Sequence, residues 1–453
     1  MCHATYATPA DAMKAPPEKF AFVPAIMVGT KTKRPDYMAT IDIDPDSPTF
    51  SKVVGRFDMP NVGDELHHYG WNACSSCHGE RHRRYLVVPG LASGNIYIID
   101  SADPKNLKLH KQISGEDIAK KTDLATPHTV HCLADGTMMI SMLGNAKGEA
   151  PGGFLLIDDQ FEIQGRWEVD AAAMKFNYDF WYQPGINAMV SSEWAAPNTV
   201  AQGFQLEDVK AGKYGQRLHF WNWEERKIEQ TIDLGEKGMI PLEVRFHHEP
   251  GSTHGFVGAA LSSVVWHWHN YQKPGAEKGT WVAEPVIEVE AVETEGWPFP
   301  VPGLITDVVL SLDDKFLYFS NWLHGDIRQY DISDPSKPKL TGQVWLGGVI
   351  GHKSDMKTPM TGGPQMLQLS KDGKRLFVTS SLYSVWDNQF YPKMADEGSW
   401  MAMIDCDNAK GGMKLNDDFL VDFGKEPHGP ARAHEIRFPD GDSTSDIWDI
   451  QRG

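Results

Sequence analysis

Asp307-Val308-Val309-Leu310-Ser311-Leu312-Asp313-Asp314 reads as one strand, dense in branched aliphatic residues, running into a Ser/Asp turn. Three other stretches lie on the same template: Thr129-Val130-His131-Cys132-Leu133-Ala134-Asp135-Gly136, Met366-Leu367-Gln368-Leu369-Ser370-Lys371-Asp372-Gly373 and Glu435-Ile436-Arg437-Phe438-Pro439-Asp440-Gly441. Looser copies start near His67, Tyr178 and Leu242. A second hairpin type alternates with this one over 38–59, 94–113, 153–169, 217–234, 264–289, 326–346 and 400–423. Its first strand often ends in an apolar-Asp pair, as in Ile41-Asp42, Ile99-Asp100, Ile157-Asp158, Tyr330-Asp331 and Ile404-Asp405. Two hairpins make a four-stranded blade, so seven of each type predict an all-β fold, a seven-bladed β-propeller. The chain opens with the hairpin 38–59 and closes with one over 432–450. These two should complete a closing blade shared between the N- and C-terminal hairpins, which leaves no sheet edge open. Residues 1–37, rich in Pro and Ala, read as a loop-like extension, and 38–453 as a single propeller domain.

Composition narrows the function. Hydrophobic residues make up 41% of the 453, with 15 Trp and 20 Phe to fill a large core. A net charge of -18 repels phosphate backbones, and no dense basic run offsets it, so nucleic acid is not an expected partner. The longest apolar stretches, such as 255–266, are too short and too broken by serine for an integral membrane segment. Met1-Cys2-His3-Ala4-Thr5-Tyr6 leads into Pro-, Lys- and Glu-bearing sequence without a secretory signal. A cytoplasmic protein is expected, or a periplasmic one if a signal peptide has been removed. Five cysteines make no disulfide framework for a chain this long, and a reducing compartment would keep them as thiols.

The chemistry concentrates in Glu65-Leu66-His67-His68-Tyr69-Gly70-Trp71-Asn72-Ala73-Cys74-Ser75-Ser76-Cys77-His78. Imidazole and thiol ligands suit copper, zinc or iron, whereas paired histidines and a CxxC also occur as ordinary surface residues. The innermost strand of each blade runs along the central channel, so equivalent positions converge on one axis. His128, Thr306, Gln365 and His434 share one template position, and His67-His68 falls near it. Three or four imidazoles meeting on the axis would form a metal site. His131, three residues past His128, faces the other way unless a bulge intervenes, and is either a ligand or a partner to one. Glu435 could orient an imidazole or move a proton. His247-His248 reads as a solvated turn, and Trp266-His267-Trp268-His269 as alternating packing and surface. Cys74-Ser75-Ser76-Cys77-His78 allows covalent haem attachment, a zinc site with His67 and His68, or a dithiol at Cys74 and Cys77 that binds thiols or selenols.

Asp64-Glu65-Leu66-His67-His68, Trp71-Asn72, Cys74-Ser75-Ser76-Cys77, Tyr178-Asp179-Phe180-Trp181-Tyr182-Gln183-Pro184, Ser192-Glu193-Trp194-Ala195-Ala196-Pro197-Asn198 and Phe319-Ser320-Asn321-Trp322-Leu323-His324-Gly325-Asp326 resemble the selenium-binding protein family, whose members include methanethiol oxidases. The likeness continues through Gly362-Gly363-Pro364-Gln365-Met366 and Val421-Asp422-Phe423-Gly424-Lys425-Glu426-Pro427. It implies a propeller and a copper centre held by His67, His68, His128 or His131, and His434, with zinc as the alternative ion. The implied reaction converts methanethiol, O2 and water to formaldehyde, hydrogen sulfide and hydrogen peroxide. The rival from another class is a non-enzymatic propeller that binds selenium, metal or thiols. Ser51 stands where animal members place their selenium-linked cysteine, and His78 lies outside the family pattern.

Overall fold

The computed structural model of the chain describes residues 6–76, 81–274, 276 and 278–448. Among them, seven antiparallel sheets of four strands each form the ring of a seven-bladed propeller. The inner strands are Gly70–Trp71, Ala125–Cys132, Phe180–Gln183, Pro241–Phe246, Ile305–Leu310, Leu367–Leu369 and Arg432–Ala433. Each of the seven alternating hairpins read from sequence supplies the outer pair of a blade, such as Asp326–Asp331 with Lys339–Trp345. Burial follows position. Ile305–Leu310 is buried along its whole length because one edge faces the axis and both sheet faces pack on neighbouring blades. Lys52–Asp58, at an outer rim, is partly or fully exposed throughout. Large aromatic side chains fill the wedges between blades, as where Phe154 meets Trp221 edge to face with centroids 5.5 Å apart. No helix among the described residues is long and apolar enough to cross a membrane.

The closing blade is shared between the termini, but three strands come from the N-terminal side and one from the C-terminal side, in the order Arg432–Ala433, Phe20–Ile26, Tyr37–Asp42, Lys52–Asp58. Residues 20–26, expected within a loop-like extension, are therefore a blade strand. Pro24 disguised them, since proline normally argues against an interior strand. Here it falls where the neighbouring chain bulges: Ala25 lies opposite Ala433 and Phe22 opposite Arg437, so the C-terminal side spends one extra residue between those pairs. The expected hairpin over 432–450 does not form. Past Arg432–Ala433 the chain runs buried across the channel mouth, tied by Asp442 to Arg83 at 2.7 Å and by Asp446 to the Ser75 amide at 2.7 Å.

Phe22 is fully buried and packs on Trp71 of the next blade. Phe22→Ala is expected to lower the unfolding free energy by about 3–5 kcal/mol in denaturant titration. The exposed Lys14→Ala should stay within about 0.5 kcal/mol of the parent. Equal midpoints for the two variants would return residues 20–26 to a peripheral extension.

Candidate metal centre on the propeller axis

Strand alternation should send successive side chains of an inner strand to opposite faces of its blade, so that neighbours in sequence do not share a site. At the mouth of five inner strands a one-residue bulge breaks this rule. Leu66 lies opposite Gly90 and Gly70 opposite Val87; Pro127 opposite Met142 and Val130 opposite Ile140; Pro241 opposite Ala259 and Val244 opposite Val257; Ile305 opposite Asn321 and Asp307 opposite Ser320. The fifth is the bulge opposite Pro24. The bulges contain or adjoin His67-His68, His128-Thr129, Leu242-Glu243, Thr306-Asp307 and His434-Glu435. Four are led by a non-glycine residue in the left-handed region, at Glu65, Thr126, Ile240 and Leu304.

The bulges bring four histidines together. One donor nitrogen each from His67, His68 and His434 lies within 4.8 Å of the others. His67 stacks on His434 with centroids 3.8 Å apart, and His128 stands against His68 at 4.1 Å. Each tether leaves the same nitrogen free. His434 Nδ1 donates to the Ser381 carbonyl at 2.6 Å, and His68 Nδ1 faces Glu435 Oε2 at 2.8 Å. Thr129 Oγ1 donates to Asp179 at 2.6 Å and so accepts from His128 Nδ1 at 3.0 Å. Among the described residues the Nε2 atoms of His68, His128 and His434 are buried without a hydrogen-bond partner. Buried polar atoms are rarely orphaned, and three unpaired imidazole nitrogens among rings packed this closely fit a borderline transition ion. Burial first, then the neighbouring rings, holds His67, His68 and His128 well below the usual histidine range, and burial takes His434 down to about 4. The imidazoles are neutral donors at physiological pH.

Below the histidines lies a layer of buried charge that the sequence reading missed except for Glu435. Arg245 contacts Asp179 and Glu243 at 2.9 Å and approaches Asp307 at 3.7 Å, while Arg437 contacts Glu435 at 3.2 Å. Burial, then Asp179, pushes the Glu243 carboxyl well up, and burial takes Asp307 to about 7. Glu243 Oε1 stands 3.5 Å from His68 Nε2. Asp179, Glu243 and Asp307 occupy the same template position as Glu435, which is the signal that could have found them.

His131 lies apart from this group, its ring set edge-on to Phe180 and Trp181, both 5.1 Å away. Cys74, expected as a thiol that binds substrate or selenium, is instead in a disulfide with Cys132. Their Cα atoms sit 6.1 Å apart because the segment after Gly70–Trp71 packs on the end of the next inner strand. The expectation of reduced cysteines fails there, and with it a free Cys74. Cys77 and His78 lie outside the described residues. Ser51 is a structural bridge to the adjacent blade, its hydroxyl bonded to the Leu420 amide and carbonyl. The reading of His247-His248 as a solvated turn fails for His248, which is 4% exposed against Trp181 and Trp448.

Beside His67 a cavity opens, lined by Tyr178, Trp194, Leu242, Tyr383 and Trp386 among others. Measured to the centre of a water-sized sphere it holds about 20 Å³, and one water needs roughly 10–15 Å³ on that measure. It admits a ligand of a few heavy atoms, and its walls are chiefly apolar.

The sequence profile of the 56 kDa selenium-binding protein family matches residues 1–449. A human protein named methanethiol oxidase is 52% identical over 470 aligned residues, covering 99% of this chain and 98% of its own. Selenium-binding protein 2 from Arabidopsis thaliana is 51% identical over 466, covering 98% and 95%. The crystal structure of a hypothetical selenium-binding protein from Sulfolobus tokodaii superposes with a TM-score of 0.92 at 44% identity, covering 98% of both chains.

Removing the carboxylate that tethers His68 tests the geometry. Glu435→Gln is expected to weaken zinc or copper affinity about 10- to 100-fold in chelator competition. Unchanged affinity would mean that the tether does not set the donor nitrogen.

Proposed function

Because the chain belongs to the 56 kDa selenium-binding protein family, we propose that it is a copper-dependent methanethiol oxidase, acting on methanethiol with O2 as acceptor. The observation that carries this reading is the set of three orphaned Nε2 atoms gathered on the axis beside a cavity sized for a molecule as small as methanethiol. The full-length relatives named methanethiol oxidase support the substrate class.

His67, His68, His128 and His434 would hold the metal. Copper would supply one-electron redox cycling and affinity for thiolate sulfur, whereas zinc, the alternative ion for such ligands, has no redox chemistry. In the balanced reaction, methanethiol, O2 and water combine in equal amounts and give equal amounts of formaldehyde, hydrogen sulfide and hydrogen peroxide. The substrate carbon loses two electrons, and O2 takes up two electrons and two protons.

The chain's own groups prepare the site. Leu242, Trp194 and Trp386 give the cavity apolar walls against which the methyl group of a small thiol would pack. Ser381, Glu435 and Thr129 hold three Nδ1 atoms, so His434, His68 and His128 keep the Nε2 lone pair for the metal. Glu435 is thus a positioning residue for His68, with Arg437 beside it to balance its charge.

Purified protein loaded with copper should release hydrogen peroxide from methanethiol over many turnovers, and the same sample after chelation should release none. Butanethiol, three carbons longer than methanethiol, should react at least about 100-fold more slowly in kcat/KM. Absence of peroxide from demonstrably copper-loaded protein would replace the oxidase with a metal or thiol carrier.

A further inference from the structure

A second group of histidines lies away from the axis, on the fourth blade. His267 and His269 are alternate residues of the strand Val264–Tyr271 and share one of its faces. Phe256 pairs with His267 and Gly255 with Trp268, which sets His254, just before the strand Gly255–Ala259, opposite His269. The His247 amide donates to the His254 carbonyl at 2.9 Å, so His247 extends the row onto a third strand. Trp266 and Trp268 take the alternate positions and pack in the core cluster. The Trp-His-Trp-His stretch thus alternates as its sequence suggests, but its histidine face is not merely surface.

The four rings lie nearly parallel. His254 is 5.1 Å from His267, 5.5 Å from His269 and 5.5 Å from His247, with interplanar angles of 6°, 18° and 24°. One donor nitrogen each from His254, His267 and His269 lies within 4.8 Å of the others. An ordinary buried histidine finds a carbonyl, as His324 Nε2 does with Val301 at 2.9 Å. This group does so only in part. His254 Nδ1 and His267 Nε2 share one hydrogen bond at 2.8 Å, and Ser252 reaches His247 Nδ1 at 3.3 Å. Among the described residues His247 Nε2, His267 Nδ1 and His269 Nδ1 are buried without partners. Three unsatisfied nitrogens in one row call for a common partner.

We propose that His254, His267 and His269, with His247 beside them, form a second metal site, an imidazole-only site for a borderline divalent cation such as zinc. Burial, then the neighbouring rings, pushes His247 and His267 down to about 3, so both are neutral donors at physiological pH. Zinc bound to nitrogen at about 2.0–2.1 Å needs donors roughly 3.3 Å apart, and the donors here all lie within 4.8 Å of one another. His254 and His269 are only partly buried and can rotate inward onto the fixed His267. The same exposure gives solvent ions direct access to the group. A bound ion would clamp the 247–254 turn to the strand beneath it and stabilise that corner of the blade.

The test is zinc titration of the metal-free full chain against a chromogenic chelator, beside His254→Gln/His269→Gln, whose side chains are exposed enough to spare the fold. The parent is expected to bind one more equivalent than the double variant, while the axial site loads in both. Equal stoichiometry and affinity would overturn the proposal. A second measurement leaves the chain unmutated: diethylpyrocarbonate labelling of His254 and His269, located by mass spectrometry, should fall at least about fivefold when zinc is added. Unchanged labelling under saturating zinc would also overturn it.

Discussion

The site depends on a bulge. A regular inner strand sends successive side chains to opposite faces of its blade, and a seven-bladed ring of such strands could not place His67 beside His68, or His434 beside Glu435, on the same side. One extra residue at the mouth of five inner strands, each time at the same level of the ring, removes that restriction. Left-handed backbone at Glu65, Thr126, Ile240 and Leu304 costs about 1–3 kcal/mol each. Thr126 and Ile240 are β-branched, the residue type least suited to that conformation. Such strain persists only where surrounding packing over-determines it, and the inner strands, buried except at Ala125 and Thr126, provide that packing.

Buried charge supplies the next constraint. Asp179, Glu243, Asp307 and Glu435 come from four different blades and meet at the axis, where unpaired carboxylates would be costly to bury. Arg245 bridges Asp179, Glu243 and Asp307, while Arg437 pairs with Glu435 and donates to the Tyr69 carbonyl, so each guanidinium also ties neighbouring blades together. Truncating one partner of such a pair commonly costs about 3–5 kcal/mol, mostly because the other charge is left stranded. The charged layer therefore acts as a floor under the histidines. It holds Glu435 against His68 and, through Asp179 and Thr129, fixes the donor nitrogen of His128.

The outer architecture was legible because it rests on local signals. Alternating apolar residues and Asp/Gly turns mark all seven outer hairpins, and the four-copy template aligns His128 with His434. The strand Phe20–Ile26 was hidden by Pro24, which is tolerated only because the bulge opposite it interrupts the ladder. Glu435 was legible beside a histidine, whereas Asp179, Glu243 and Asp307, beside Tyr178, Leu242 and Thr306, were not read as a ring. The Cys74–Cys132 bridge joins residues 58 apart on adjacent blades, and no local pattern announces such a pairing. His247, His254, His267 and His269 converge only through the register of three strands, so their grouping needed the sheet itself.

The central claim is that the axial histidines hold a metal ion through their Nε2 atoms. Anomalous diffraction at the copper edge, from crystals of the copper-loaded full chain, tests it most directly. The account predicts a peak bonded to the Nε2 atoms of His68, His128 and His434, with His67 beside it. An axis without a peak in copper-loaded crystals, or an ion bound there through Nδ1, would contradict it.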